Sequence, residues 1–261
     1  MKRRIKHLYF SFVGKNFYLK TLHVAFFAAY HAGLLRNNSI YKYHYFVKNL
    51  IKEGDVVIDI GANLGYYTKL FSNWVGSSGK VYAVEPVREY VEIILWSTRK
   101  RKNIELLPYA LGAENKSINM VVSGRHGYLR TGLPQVQTPG DVSSYEFSFP
   151  AEMKKGSELF SNLHRLDYIK CDIEGYEEFV IPEIKTIIEQ HKPVIQIETW
   201  GEQRPIVEKL LNGLGYSKYE LDGSSLNKKT DNSIRAVGDL IFIHDSKAAL
   251  LQQLKERKLL D

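Results

Sequence analysis

The sequence predicts an α/β protein with a doubly wound, mostly parallel sheet that carries helices on both faces. Three observations predict it. Residues 54–68, GDVVIDIGANLGYYT, read as a β-branched strand, an acid, a glycine turn and a helix start, the run expected of a strand buried on both faces. Strand-like blocks ending in acids then alternate with helical ones: KVYAVEP at 80–86, DYIKCDIE at 167–174 and PVIQIET at 193–199. The composition, 44% hydrophobic and 12% aromatic with 8 prolines in 261 residues, suits one large domain with an extension rather than a disordered chain.

Residues 1–52 form a basic, aromatic-rich arm, expected to be helical. Residues 1–53 hold ten Lys/Arg against one Glu, a net of +9, and the remainder holds 26 against 28. The formal charge of +7 therefore belongs to the arm, and the near-neutral body offers no broad nucleic-acid face. Lys15 and Lys20 interrupt any signal-peptide core, and residues 21–35 are short for a membrane span. The arm is expected to be a pair of helices packing their apolar faces on the body or on a second subunit. Peripheral contact with an anionic membrane is the other use of such an arm. Residues 37–39 break the pattern, and 41–51 resume it as a helix leading to Gly54.

The body spans residues 53–261. After the glycine turn come a helix over 67–74, a strand over 80–86, and a helix over 88–100 with Val87, Val91, Ile94, Leu95 and Thr98 on one side. A third strand covers 104–111. Residues 112–156 change texture: two alternating runs, 117–123 and 143–149, flank a stretch rich in glycine and proline, which reads as an inserted hairpin or lid. A strand at 167–174 and a helix at 176–191 broken at Pro182 resume the winding. A strand at 193–199, a short helix at 205–211, two antiparallel strands at 216–221 and 236–244, and a helix from Ser246 complete it. The single cysteine, Cys171, excludes an internal disulfide, reads as a buried strand residue, and fits a reducing, cytoplasmic setting.

The turn indicates its ligand. A dinucleotide fingerprint needs G-x-G-x-x-G, whereas Gly61-Ala62-Asn63-Leu64-Gly65 has Asn63 at the middle glycine. Asp59, just before the turn, would repel a phosphate and pair with an ammonium group. A ligand with a cationic end and no phosphate is favoured over a nicotinamide cofactor, and S-adenosylmethionine is such a ligand. Glu85, ending the next strand, is placed to accept hydrogen bonds from ribose hydroxyls.

The blocks DVVIDIGANLGYYT, YAVEP, PYALG, YIKCDIEGYE and VIQIE together resemble the FkbM family of S-adenosylmethionine-dependent methyltransferases, over roughly residues 53–200. The resemblance implies the class I methyltransferase sandwich, a Rossmann-like sheet of seven mostly parallel strands with the last antiparallel. It implies cofactor contacts at Asp59, Gly61, Asn63, Gly65 and Glu85, at Ala110 and Leu111 along the adenine edge, and at Asp172. The arm and the 112–156 insertion fall outside the well-matched blocks and are expected to set substrate and location.

A second constellation is acidic. Asp172 and Glu174 lie two apart on a strand and so share a face, and Glu198 ends a neighbouring strand. These three are the catalytic candidates, as a general base or as ligands of a divalent cation such as Mg²⁺. The competing reading is that they hydrogen-bond and shape the DIEGYE turn, which Gly175 permits. Weaker candidates for an acceptor pocket are His126 with Arg125 and Arg130, His164, Trp200 and Arg204. The expectation is an O-methyltransferase acting on a sugar, polysaccharide or natural-product hydroxyl. Its acceptor would be a small molecule or glycan and not a nucleic acid, with membrane contact through the arm and oligomerisation both open. The rival is a non-catalytic S-adenosylmethionine-binding or membrane-docked partner protein.

Overall fold

The computed structural model describes residues 2–123, 127–129, 131–137, 144–230 and 238–261. The arm contributes α1 (Lys2–Val13), α2 (Lys15–His31) and a short α3 (Lys42–Phe46). The expected helix over 41–51 is instead α3 flanked by two single 3₁₀ turns, Ser39–Tyr41 and Val47–Asn49. Asn38 Oδ1 accepts from the Ile40 N–H at 3.0 Å and starts the first turn.

The body then runs β1 (Val56–Ile60), α4 (Tyr66–Trp74), β2 (Lys80–Val84), α5 (Arg88–Thr98) and β3 (Ile104–Leu107). Pro108 has no N–H to offer a ladder, and the predicted third strand stops there. Its tail becomes β4 (Ala110–Leu111), which belongs to another sheet. On α5 the buried face is Val87, Tyr90, Ile93, Ile94 and Thr98, with Leu95 exposed, about one residue out of phase with expectation. The insertion forms β5 (Lys116–Ser123), β6 (Gln135–Val136) and β7 (Tyr145–Lys154). The winding resumes with α6 (Gly156–Leu159), β8 (Tyr168–Cys171), α7 (Glu177–Glu183), α8 (Lys185–His191), β9 (Val194–Thr199) and α9 (Gln203–Gly213). It ends with β10 (Tyr216–Asp222), β11 (Ser225–Lys228), β12 (Gly238–His244) and α10 (Ala248–Glu256).

The main sheet has the order β11-β10-β12-β9-β8-β1-β2-β3. Strands β3, β2, β1, β8 and β9 are parallel, and β12 is antiparallel to both β9 and β10. The seven-strand order is present, and β11 adds an eighth, antiparallel edge that the sequence reading did not separate from its neighbour. Chain direction away from β1 reverses between β2 and β8, so the crevice of a doubly wound sheet opens at the carboxyl ends of β1 and β8.

Alternate residues of each strand feed two cores. Ile58, Ile60, Ile169 and Cys171 pack with Val180, Ile184, Ile188, Val207 and Leu211. On the other face Val57 and Tyr168 pack with Phe46, Val47, Phe71, Ile241 and Leu254. A third core joins the arm to the insertion, with Tyr18 and Leu19 against Tyr90, Met120, Leu129 and Phe149. Strands β5 and β7 pair antiparallel over their length, as a hairpin reading requires, and β4 ties the insertion back to the body beside β7. Among the described residues, no helix is long and apolar enough to cross a membrane.

Candidate active site

The glycine turn is fixed by a close backbone approach. A Cβ at Gly61 would sit 1.9 Å from the Asp172 carbonyl oxygen, and the residue has φ +77°, so only glycine fits. The Asp172 N–H donates to the Ile60 carbonyl at 3.1 Å, locking the exit of β8 against the exit of β1. Asn63 also lies in the left-handed region, at φ +51°, a conformation Asn tolerates better than most residues. Its N–H donates to Glu85 Oε2 at 2.7 Å, and the Val87 N–H donates to Oε1 at 2.8 Å. Glu85 is thus buried and aimed at the turn, and its burial raises its carboxyl to about 7.

Two small connected-looking cavities lie over this turn. One, of about 60 Å³, is lined by Gly61, Asn63, Glu85, Asp172 and Glu174 from below and by Met120, Gly132 and Pro134 from the insertion. The other, of about 30 Å³, is an apolar slot that includes Ala110, Leu111, Val84, Met120 and Val136. The predicted cofactor residues therefore converge, with two qualifications. Gly65 acts through the backbone, caps α4 in the left-handed conformation and lets α5 approach at Ile94. Asp59 lines neither cavity: it is fully buried, accepts from Thr68 Oγ1 at 2.6 Å, and has burial opposed by the nearby Lys170 charge. The cation facing Asp59 in this structure is Lys170. The donor set suits S-adenosylmethionine: a backbone cradle that a Cβ would fill, a buried Asn63 Oδ1 without a partner, a glutamate at ribose position and an apolar slot.

The acidic residues meet, although the predicted strand over 167–174 stops at Cys171 and Glu174 reaches the others from a left-handed turn, φ +55°. Ligand-type oxygens of Asp172, Glu174 and Glu198 all lie within 4.8 Å of one another. The competing role, shaping the DIEGYE turn, falls elsewhere: buried Glu177 accepts from the Ile173 N–H and the Gly175 N–H, each at 3.0 Å. Asp172 and Glu174 are thereby left to face the crevice. Sequence reading missed Glu177 as the turn-maker, although an acid three residues past the predicted strand end and opening a helix is a local signal for backbone capping.

It also missed Lys170. Lys170 is buried, and its Nζ donates to Asp172 Oδ2 at 3.0 Å. Burial would lower the ammonium, but Asp172, Asp59 and Asp239 outweigh it and raise it. For Asp172, burial pushes the carboxyl upward, yet the Lys170 charge and hydrogen bond hold it below the usual carboxylate range. Its side chain keeps 34% of its surface open. Glu198 is pushed up to about 8 by burial and by the Asp172 and Asp239 charges, and Glu174 to about 7 by burial and Asp172. Below these, Gln196 links Tyr67 (3.1 Å), Asp239 (3.0 Å) and Tyr168 (2.9 Å). No sequence signal distinguished Lys170 from an ordinary strand lysine, because what marks it is three-dimensional burial.

Two weaker candidates are corrected. Arg204 is buried in an ion pair with Glu208 at 2.8 Å, and Lys218 shares the same carboxylate at 2.8 Å, so it braces α9 and β10 instead of lining a pocket. His164 is exposed and precedes β8, at the amino end of the parallel strands and away from the crevice. Trp200 is 40% exposed and passes 3.3 Å from the position of a Gly175 Cβ, beside the acidic turn. His126, Arg125 and Arg130 lie outside the described residues.

Residues 59–218 match the family described as "Methyltransferase FkbM domain". The chain belongs to the FkbM methyltransferase family. It therefore carries a methyltransferase-type domain, and it spans less than half the length of the curated relative it matches. A protein-L-isoaspartate O-methyltransferase of Methanothrix thermoacetophila is 31% identical over 101 residues, which is 38% of this chain and 40% of the relative. Among solved structures, a protein assigned as an rRNA methylase from Clostridium thermocellum aligns over 80% of this chain and 96% of its own, at 12% identity and TM-score 0.50. An FkbM methyltransferase from Methylobacillus flagellatus aligns over 73% of this chain and 43% of its own, at 14% identity and TM-score 0.47. The FkbM domain thus includes the turn, Glu85, the adenine-edge slot and all three acids.

Proposed function

We propose that this FkbM methyltransferase is an O-methyltransferase whose acceptor is a hydroxyl of a sugar, polysaccharide or natural product. The observation that carries the reading is Asp172: a carboxylate held ionised by a buried lysine, partly open to the crevice, and bordered by two carboxyls with raised proton affinity. Bound S-adenosylmethionine supplies an electrophilic methyl carbon on a sulfonium sulfur. The protein's contribution is then to hold the acceptor oxygen in line and to receive its proton. Gly61, Asn63, Glu85 and the Ala110–Leu111 slot would hold the cofactor, and the hydroxyl proton would pass to the Asp172–Glu198 pair. Lys170 keeps the negative charge of that pair on the crevice side. Exposed Trp200 beside the turn offers an aromatic face of the kind on which the apolar side of a sugar ring packs.

A second reading uses the same acids as ligands of a divalent cation, which would lower the hydroxyl's pKa. Three oxygens within 4.8 Å support it, while Lys170 already compensates Asp172 and weighs against it. The test is transfer of labelled methyl to panels of glycans, polyol natural products, amines and carboxylic acids, with product linkage read by mass spectrometry, in Mg²⁺ and in EDTA. Ether formation in EDTA is the expected result. Methylation confined to nitrogen or carboxyl groups overturns the hydroxyl reading, and activity only with Mg²⁺ selects the second.

A further inference from the structure

Helix α1 carries an apolar face wider than the body covers. Its inner part, Tyr9, Phe10 and Val13, is half-buried against the core that Tyr18 shares with Met120 and Phe149. Ile5, Leu8 and Phe12 follow one another at spacings of three and four and so form a row along the helix. They are 58%, 67% and 90% exposed, and Phe17 at the start of α2 is 58% exposed. Single exposed apolar residues are ordinary, but a row of large ones marks a contact surface.

Charge identifies what the row meets. Residues 1–52 contain ten Lys/Arg and no Asp or Glu. The cations divide by position. Lys15 is paired with Glu89 and lies over the Phe149 ring, and Lys20 lies over the Trp96 ring, so both fasten the arm to the body. Lys6 lies over the Tyr128 ring on the body side of α1, and Arg4 is exposed beside the apolar row. A row of bulky apolar side chains edged by Arg4, in a segment with ten cations and no acid, matches the interface of an anionic bilayer. No helix among the described residues is long and apolar enough to cross a membrane, and a row of this kind makes a contact that lies in the interface.

We infer that the outer face of α1 docks this chain on an anionic lipid surface. Ile5, Leu8 and Phe12 enter the headgroup–acyl boundary, and Arg4 meets the lipid phosphates. The inference stands apart from the choice of acceptor, since none of these residues lines the crevice. It is tested by co-sedimenting the whole chain with phosphatidylcholine vesicles, with and without phosphatidylserine, at low and high salt. Binding is expected only with phosphatidylserine and is expected to weaken as salt screens it. An Ile5→Ser/Leu8→Ser/Phe12→Ser variant is expected to lose binding by about tenfold or more while keeping its melting temperature, because the three side chains are exposed. Arg4→Glu is expected to weaken the phosphatidylserine dependence. Equal binding to both vesicle types, or binding that the triple variant retains, overturns the inference. So does a dimer by light scattering that the triple variant converts to monomer, which would make the face a self-association surface.

Discussion

The floor and the roof of the crevice are built by different physics. The floor is the carboxyl ends of β1 and β8, where backbone contacts leave no freedom: Gly61 against the Asp172 carbonyl, Asn63 on Glu85, Glu177 on the turn amides. The roof is four residues of the insertion, Met120, Gly132, Pro134 and Val136, resting on that floor with only about 60 and 30 Å³ between. Drug-sized ligands occupy several hundred Å³, so a cofactor would fit over this floor only if the roof moved. The floor therefore sets chemistry and the roof sets access. Changes to the floor are expected to alter turnover steeply, and changes to the roof to alter affinity modestly.

The largest effect is expected from Gly61→Ala. Its Cβ has no room, and the positive φ alone costs about 1–3 kcal/mol. Displacing Asp172 by a fraction of an ångström is expected to cost roughly 100-fold in turnover, with weakened S-adenosylmethionine binding by calorimetry. Near-normal kinetics would show the floor to be pliable. Asp172→Asn comes next, with a kcat loss of about 10²–10⁴ and cofactor binding little changed. Its partner, Lys170→Met, separates proton handling from packing. Removing the ammonium leaves Asp172 and Glu198 without their counter-charge, so the acid limb of the pH–rate profile should move to higher pH. An unmoved limb would reduce Lys170 to a structural residue.

The same contrast decides what the sequence revealed. The floor was legible because it rests on local chemistry: a β-branched run, two glycines, and acids at strand ends, each visible within fifteen residues. Asp172, Glu174 and Glu198 met, but not through a shared strand face: β8 ends at Cys171, and Glu174 lies in a left-handed turn at φ +55°. Lys170 and Asp239 were invisible because their roles depend on burial from neighbouring strands, β1, β9 and β12. Arg204 misled for the same reason in reverse, since Glu208, one turn on, and Lys218, on the following strand, claim it. The insertion was recognisable as a hairpin from alternation, but its partner was not: its core is completed by Tyr18 and Leu19, about a hundred residues upstream. Likewise β11 was hidden, because a four-residue edge strand after a tight turn carries almost no periodic signal.

The floor's acids also predict how the cofactor-free protein responds to pH. Burial and neighbouring carboxylates raise Glu198 to about 8, Glu85 and Glu174 to about 7 and Asp239 to about 6. For an acid whose folded pKa is raised, the native state binds more protons than the unfolded state between the two values. Stability therefore falls as pH rises through that window, from about pH 4.5 to 8. Asp172, shifted down, acts oppositely but only at lower pH. Melting temperature is expected to decline from pH 5 to 8, and Glu198→Gln is expected to flatten the upper part of that decline. Turnover should run the other way, rising as the pair loses its shared proton. A melting temperature that climbs across this range would mean the acids are not buried together.

The smallest effect belongs to the roof. Met120 touches both cavities and is buried with Tyr90 and Phe149. Met120→Ala removes packing worth about 2–5 kcal/mol at a well-packed site, toward the low end here because the cavities beside it let the insertion settle. The cofactor's dissociation constant is expected to change by no more than about tenfold, equivalent to ~1.4 kcal/mol, with kcat retained. The split is the informative quantity. If Met120→Ala lowers kcat as far as Asp172→Asn does, the insertion takes part in aligning the acceptor, and the division between floor and roof fails. If only affinity moves, the insertion governs entry, and the methyl transfer rests on residues that the parallel sheet alone holds in place.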